Sequence, residues 1–230
     1  MKRTNQMSES LRLGMLLAGS GGFMDAYSYL LRDHVFANAQ TGNILLFGVH
    51  LSEGNFGAAA RYFLPVFAFA AGIALAELVR LKKSAAGHMA ALLHWRQRAV
   101  LIETLILAGV AFLPLTMNPL ANALTSFACG IQVESFRKIR GNGIATTMCI
   151  GNLRSGTQSL CQFLDGKDPE RLRDAFLYYG IILCFVAGAV LGNFLIRILG
   201  EKAILCCSAF LLFVFLLMFF PEKEGKAKSA

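Results

Sequence analysis

The stretch GGFMDAYSYLLRDHVFANAQTGNIL, residues 21–45, decides the fold of this chain, because it matches a later stretch without a gap. The later stretch is GIQVESFRKIRGNGIATTMCIGNLR, residues 130–154. Each copy places an acidic residue in an apolar run and a Gly-Asn pair near its end, which indicates an internal repeat. The aligned pairs are Gly21 with Gly130, Asp25 with Glu134, Tyr27 with Phe136, Val35 with Ile144, Gly42 with Gly151, Asn43 with Asn152 and Ile44 with Leu153.

The repeat extends over most of the chain. Each unit predicts a long helix, a short glycine-containing segment at about residues 39–51 or 148–163, a second long helix and a third. Repeat 1 covers about residues 11–117 and repeat 2 about 120–220, within one membrane domain made of residues 1–98 and 99–230. After a short insertion in the second copy, Tyr62, Phe69, Ala71, Gly72 and Leu75 fall on Tyr178, Phe185, Ala187, Gly188 and Leu191.

The composition predicts an integral membrane protein. Of 230 residues, 56% are hydrophobic and 16% charged, and the mean hydropathy is +0.55, too apolar for an ordinary soluble domain. Residues 99–117, 174–196 and 203–220 are each long enough to cross a hydrocarbon core about 30 Å thick, and 11–31 and 61–79 are nearly as good. Because the first apolar stretch lacks an Ala-x-Ala cleavage site, we expect it to be a retained helix.

One candidate topology has eight spanning segments. With the N-terminus inside, the loop of residues 80–98 and the cluster Arg137, Lys138 and Arg140 would both lie outside. About 10 basic residues would then face the cytoplasm and about 11 the exterior. This topology removes the bias of Lys and Arg toward cytoplasmic loops.

The other topology treats the two short segments as re-entrant, so that six helices span. About 17 basic residues then face the cytoplasm, and four, Arg32, Arg61, Arg197 and Lys202, face the exterior. We therefore predict an all-α, multi-pass protein of the bacterial cytoplasmic (inner) membrane with both termini cytoplasmic. Since each unit has three spans, the second copy enters the bilayer in the opposite orientation, which makes an inverted repeat.

Non-helical backbone inside a membrane needs protein or a water-filled cavity around it. The TGN and IGN segments are therefore expected to meet near the centre of the molecule, where helix ends would offer unpaired N–H groups to a polar solute. Gly42 and Gly151 would permit backbone bends, while Asn43 and Asn152 would bond across the interface or contact the solute. The neutral polar residues Gln40, Thr41, Gln132, Thr146 and Thr147 would line the same region.

Three charged residues are the leading candidates for chemistry in this region. Asp25 and Glu134 lie in apolar helices, where carboxylates usually pair or line a water path; a neighbouring arginine could equally satisfy them. Arg154 stands where the first copy has Leu45, and it would either select anions or form a structural ion pair with Glu134 or Asp25. The predicted site comprises Asp25, Thr41, Gly42, Asn43, Gln132, Glu134, Gly151, Asn152 and Arg154.

Other classes of function have little support in the sequence. The six cysteines and four histidines lack metal-binding spacing, so we expect no metal and no cofactor. No fingerprint of a hydrolase, P-loop or Rossmann enzyme is present, so an enzyme with catalytic residues is disfavoured. The net charge of +8 comes from loop clusters rather than a nucleic-acid-binding face.

Small residues recur at helix-packing spacing, in Gly72 with Ala76 and in Gly188 with Gly192. The second pair is a GxxxG motif, which lets helix backbones approach closely. We expect these pairs to pack the two halves together. The alternative use is an interface between copies of this chain in a homo-oligomer.

The GGFMDA and TGN motifs, with the later IRGNGIATTMCIGN stretch, resemble the YoaK-like family of predicted bacterial membrane proteins over essentially the whole chain. The resemblance implies about six spans. It implies no substrate, because the function of that family is unknown. Such proteins commonly carry a threonine before the glycine of the second copy, whereas this chain has Ile150 before Gly151. The two copies therefore differ at this position, where the first copy has Thr41.

The expected function is a small-solute transporter or channel with its site at the interface of the two repeats. A proton-coupled mechanism would use Asp25 or Glu134 as the titrating group. The rival is a non-transporting scaffold or accessory protein with a dry, packed centre, and an intramembrane enzyme is a third reading. The expected partners are the lipid bilayer and an unidentified small solute; the substrate, its charge and the coupling ion are not readable from the residues.

Overall fold

The structure is a computed structural model that describes residues 11–85, 94–139, 142–144 and 146–220. Residues 86–93 and Arg140, which belong to the basic loops used for the topology, lie outside the described residues. The described chain is helical apart from a hairpin of two-residue strands, β1 (Lys138–Ile139) and β2 (Asn142–Gly143), which confirms the all-α class. Its helices are α1 (Leu11–Leu31), α2 (Gln40–Ser52), α3 (Phe56–Ala85), α4 (Trp95–Val110), α5 (Asn118–Ser135), α6 (Cys149–Gly166), α7 (Pro169–Leu199) and α8 (Ile204–Leu217).

Local signals set several helix ends. The side chains of His94 and Gln97 form a capping box at the start of α4. Asp168 caps α7 by accepting a hydrogen bond from the backbone N–H of Glu170 at 2.9 Å, ahead of Pro169 in the first turn. Gly200, with φ of +55°, ends α7, and a 3-10 turn then leads directly into α8.

The surface of the described chain is unlike that of a water-soluble protein. Large apolar residues cover the surface; on α7, for example, Phe176, Leu183 and Val190 are 69%, 68% and 65% exposed. Polar side chains such as Asn43 and Gln132 are fully buried. An apolar exterior of this extent is costly in water and matches a lipid environment.

Two described helical stretches are long and apolar enough to cross a membrane, Phe56–Leu81 and Pro169–Leu217. The first corresponds to most of α3. The second contains α7, the turn at Gly200 and α8. By length and composition, these stretches provide the most direct candidates for membrane spans.

Glycines bring two pairs of helices into backbone contact. Gly22 of α1 lies against the backbone of Phe185 in α7, and Gly188 of α7 lies against that of Gly19 in α1. Since Gly180 meets Met15 at one end, the two helices run parallel. No side chain larger than hydrogen fits between such close backbones.

The pair α3 and α5 has the same arrangement. Gly72 of α3 lies against the backbone of Phe127, and Gly130 of α5 against that of Phe69. Gly72 and Gly188 thus contact a helix of the other half of the chain, as the sequence predicted. In each of the pairs α1–α7 and α3–α5, a helix from one half of the chain therefore packs against a helix from the other half.

The third helices of the two units, α4 and α8, pack directly on each other. The Ser208 hydroxyl donates a hydrogen bond to the Thr104 carbonyl at 2.8 Å, and the Lys202 ammonium donates one to the Ala111 carbonyl at 3.1 Å. Later residues of α4 therefore meet earlier residues of α8. These two helices run antiparallel.

The helices α2 and α6 both begin in the interior of the protein. After α1, positive φ angles at Asp33 (63°) and His34 (57°) turn the chain back, and the Asn38 side-chain amide donates to the carbonyl of Gly21 at 3.0 Å. Gly21 is in the middle of α1. The chain before α6 reaches the same place, because a Cβ atom added to Gly21 would lie 3.2 Å from the Thr146 carbonyl oxygen. The 13-residue α2 is about 20 Å long, too short to cross a bilayer.

Arg32 ties together the helix ends near the end of α1. Its side chain is fully buried, and its guanidinium donates hydrogen bonds to the Tyr27 hydroxyl and the Asn118 side chain. Further bonds go to the carbonyl of the last residue of α4 and to two carbonyls in the turn that follows it. These carbonyl oxygens belong to Val110 (3.4 Å), Leu113 (2.8 Å) and Pro114 (3.2 Å).

We predict that Gly188→Ala lowers the thermal midpoint of the purified protein strongly, since its Cβ would overlap the Gly19 carbonyl. The matched control is Gly109→Ala, because no atom lies within 4 Å of a Cβ at that position. Thermal midpoints from fluorescence-detected size exclusion in detergent provide the comparison. Equal midpoints for the two variants would contradict the close α1–α7 packing.

Arg32→Ala is expected to destabilise the protein markedly. It removes the guanidinium that donates to the Leu113 carbonyl, and it removes one of the partners of the Val110 and Pro114 carbonyls and of the Tyr27 hydroxyl. A hydrogen bond to a charged group contributes about 1.5–3 kcal/mol. Arg61→Ala, which removes an exposed arginine of α3, should have little effect. The measurement is the same thermal midpoint, and an Arg32→Ala protein as stable as Arg61→Ala would refute the role of the network.

Candidate functional site

The larger of the two main cavities lies between the second halves of α1 and α7 and the beginnings of α2 and α6. We call it the Asp25 cavity, and its volume is about 980 Å³. Its polar lining includes Asp25, Asn38, Thr41, Thr147 and Arg197. The remainder is mainly apolar, with Tyr29, Phe36, Phe69, Ile150, Phe185, Val186 and Val190.

Asp25 is held by the chain that returns from the end of α1. Its Oδ1 accepts a hydrogen bond from the backbone N–H of Asn38 at 2.7 Å, and the amides of Ala37 and Ala39 also face this carboxylate. Backbone donors of this kind stabilise a carboxylate in an apolar setting. Asp25 therefore both fixes the entry into α2 and places a carboxylate in the cavity wall.

The smaller cavity, about 460 Å³, lies between the end of α5 and the first turns of α6, and we call it the Glu134 cavity. Glu134 forms an ion pair with Arg137 at 3.4 Å. Glu77 and Arg80 of the adjacent α3 pair with each other nearby. The remaining polar lining comes from α6, namely Asn152, Arg154, Ser155 and Gln158.

Buried polar side chains occupy the region around Gly21. Gln132 donates hydrogen bonds to the Leu17 carbonyl at 3.1 Å and to the Thr146 hydroxyl at 3.2 Å, and it accepts one from Ser20 at 3.3 Å. Gln40 reaches the Ser126 hydroxyl at 3.4 Å. These groups join the beginnings of α2 and α6 to α1 and α5.

The first turn of α6 adjoins both cavities. Thr147, Met148, Cys149 and Ile150 line the Asp25 cavity, whereas Gly151 and Asn152 line the Glu134 cavity. A small rotation or shift of this turn would change both cavities together. The beginning of α6 is thus the structural boundary between them.

The structure distributes the nine predicted site residues over three places. Asp25 and Thr41 line the larger cavity. Asn43, Gly42 and Gln132 are packed in the protein; Asn43 accepts from the Phe36 N–H at 3.0 Å and donates to its carbonyl at 2.7 Å. The smaller cavity is lined by Glu134, Gly151, Asn152 and Arg154.

Helix register explains why Asp25 and Glu134 do not hold equivalent positions. Residues 25, 26 and 29 of α1 line one cavity with the same spacing as Val133, Glu134 and Arg137 of α5 line the other. The packing glycines agree, because Gly22 and Gly130 meet the matching residues Phe185 and Phe69. The gapless alignment is therefore one residue out within the first helix, and one residue rotates a side chain by about 100°.

Several lining residues were missed by the sequence reasoning. Asn38 and Phe36 come from the turn before α2. Arg197 comes from α7, which the sequence predicted only as a membrane span. A polar residue in an apolar returning segment, as in FANAQ at residues 36–40, was the available signal for Asn38. Nothing in the local pattern around Arg197 connects it to α1.

Within the described residues, no three His, Cys, Asp or Glu side chains come together as a metal site. Glu103 of α4 is a separate feature: it is fully buried, and neither carboxyl oxygen has a hydrogen-bond partner among the described residues. It lies in the packed core rather than in the lining of either cavity. Burial of a polar group without a partner among the described residues lowers the stability of the fold.

We predict that Glu103→Leu leaves the thermal midpoint unchanged or raises it, since a buried polar group without a partner is replaced by an apolar one. Asp25→Leu, by contrast, should lower the midpoint, because it removes the acceptor of the Asn38 amide. Both variants are measured by thermal unfolding in the same detergent. Unfolding of Glu103→Leu alone would show that Glu103 has a structural partner.

Residues 13–217 match a family described as a protein of unknown function, DUF1275. A relative is the UPF0700 transmembrane protein YoaK of Bacillus subtilis (strain 168), which is 26% identical over 185 residues. The match covers 76% of this chain and 79% of the relative. No solved structure matches the chain.

Proposed function

Because the chain belongs to the DUF1275 family, transmembrane proteins whose function is unknown, we propose its function from the geometry of its cavities. It is a small-solute transporter or channel whose path runs through the Asp25 cavity, past the first turn of α6, and through the Glu134 cavity. The observation that carries the proposal is the pair of cavities that adjoin the first turn of α6. Solute sites in transporters commonly lie near the bilayer midplane, at the ends of short or broken helices.

The proposal includes a topology of six spans in two inverted repeats, with α2 and α6 as re-entrant helices. The antiparallel contact of α4 with α8 supports it, since eight spans would make these two helices parallel. The Arg32 network adds support. It brings the end of α1 to the end of α4, whereas with eight spans those ends would lie on opposite faces.

The orientation follows from the basic residues. Placing the ends of α1, α4 and α7 outside puts the larger Lys and Arg clusters on the cytoplasmic side of a bacterial inner membrane, together with both termini. The Asp25 cavity then occupies the outer half of the bilayer, because it is lined by the second halves of α1 and α7. The Glu134 cavity occupies the inner half.

In this arrangement the two carboxylates face opposite ends of the path. Asp25 and Glu134 are the carboxylates that line the two cavities, so either could carry a proton during transport. Arg154 and Arg137 surround the inner cavity with positive charge. A carrier would open the two cavities alternately, whereas a channel would open them together.

Single cysteines in a cysteine-free background test the topology. We expect Ser52→Cys and Leu115→Cys to react with an impermeant thiol reagent from outside only, and Lys167→Cys from inside only. Reaction of Ser52→Cys and Leu115→Cys from inside would establish the eight-span alternative. It would also place the end of α4 on the opposite face from the end of α1.

The same background tests the path. Thr41→Cys lines the Asp25 cavity and Ser155→Cys the Glu134 cavity, so they should react from outside and inside respectively. Phe63→Cys, on the exposed apolar face of α3, is the control that should not react. If neither cavity position reacts from either side, the centre is dry, and a non-transporting scaffold replaces the proposal.

A further inference from the structure

We propose that the Asp25 cavity binds a zwitterion with an apolar body, of the class of α-amino acids with apolar side chains. The inference rests on the proposed function, because it names the class of solute for that path. Three features of the cavity carry the inference. They are a carboxylate, the uncapped N-terminus of a helix beside a buried hydroxyl group, and an aromatic wall. Each would recognise a different part of such a molecule.

The carboxylate of Asp25 would receive the ammonium group. It lines the cavity, and its side chain is held in place through Oδ1 by the Asn38 amide at 2.7 Å. A fixed carboxylate in an apolar wall forms strong, charge-assisted hydrogen bonds. Asp25 is mostly buried, so water competes weakly for it.

The beginning of α6 would receive the carboxylate of the solute. No side chain of the described residues caps it, and Met148 and Cys149, where the helix begins, line the cavity together with Thr147. The Thr147 hydroxyl is a second, independent feature. It is 1% exposed, lines the cavity and has no hydrogen-bond partner among the described residues.

The two polar positions are close enough for one α-carbon to bridge them. The Cα atom of Thr147 lies 3.4 Å from a Cβ atom added at Gly21. Asp25 is one turn further along the same face of α1, a rise of about 6 Å for four residues. Hydrogen bonds of about 2.8 Å at each end bring an ammonium and a carboxylate on one carbon within this distance.

The remainder of the cavity suits an apolar side chain. Phe36, Phe69 and Phe185 contribute rings, and Val186 and Val190, which are 50% and 65% exposed, border the open side of the cavity along α7. Arg197 at the far end adds a positive charge that disfavours a purely cationic solute. The cavity therefore combines both signs of charge with an apolar surface, which neither a simple cation nor a simple anion would match.

The test uses three probes that differ by one group: leucine, 3-methylbutylamine, which lacks the carboxylate, and 4-methylpentanoate, which lacks the ammonium. Binding of labelled leucine to the purified full-length protein is measured, with the other two as competitors. We expect saturable leucine binding and competitors weaker by at least about tenfold, the effect of losing one charged hydrogen bond. This comparison needs no variant.

Variants then assign the groups. Asp25→Asn should weaken leucine binding by about tenfold or more, and Thr147→Val by several-fold. The matched control is Asp165→Asn, which removes an exposed carboxylate near the end of α6 and should retain the wild-type affinity. Equal affinities of Asp25→Asn and Asp165→Asn would overturn the assignment of the ammonium site.

The remaining outcomes separate this inference from the proposed function. An amine that competes as well as leucine would identify an organic-cation site, and an equally strong acid an anion site; both overturn the zwitterion. Absence of leucine binding, with Thr41→Cys and Ser155→Cys still labelled from opposite faces, rejects the amino acid and retains the path. Absence of both the binding and the labelling rejects the proposed function as well.

Discussion

Two helices of this protein, α2 and α6, begin in its interior, and the rest of the structure depends on the buried polar side chains that hold the chain at those two places. The chain entering α2 is held by Asp25, Asn38 and Asn43, and the chain before α6 by Gln132. A lipid offers no hydrogen bond in exchange, so these partners must come from the protein. Asp25 and Asn38, which line the Asp25 cavity, thus also hold the chain that enters α2.

The glycines at the helix contacts also hold the helices close to the buried polar residues. Close approach of α1 to α7 and of α3 to α5 removes side chains from the helix contacts and brings Gly21 beside the chain before α6. In the same region, Gln132 of α5 donates hydrogen bonds to both the Leu17 carbonyl of α1 and the Thr146 hydroxyl. The close packing of small residues and the buried polar groups therefore occur together in this part of the protein.

The sequence predicted the helical class, the two short segments and the use of Gly72 and Gly188 between the halves, because these depend on apolar length and local residue types. It did not predict the rotation that separates Asp25 from Glu134. A one-residue shift within a helix leaves hydrophobicity unchanged and moves a side chain by about 100°. The partners of Arg32 were equally unreadable, since they lie some 80 residues further along the chain.

The pairing of α1 with α7 has a consequence for how a cell makes this protein. When α1 leaves the ribosome, the helix that its glycines require has not yet been synthesised, and the carbonyls at the end of α4 are also still to come. The first helix must therefore wait in the bilayer with polar groups uncovered. The packing of the amino-terminal helix is therefore completed only after the last third of the chain has been synthesised.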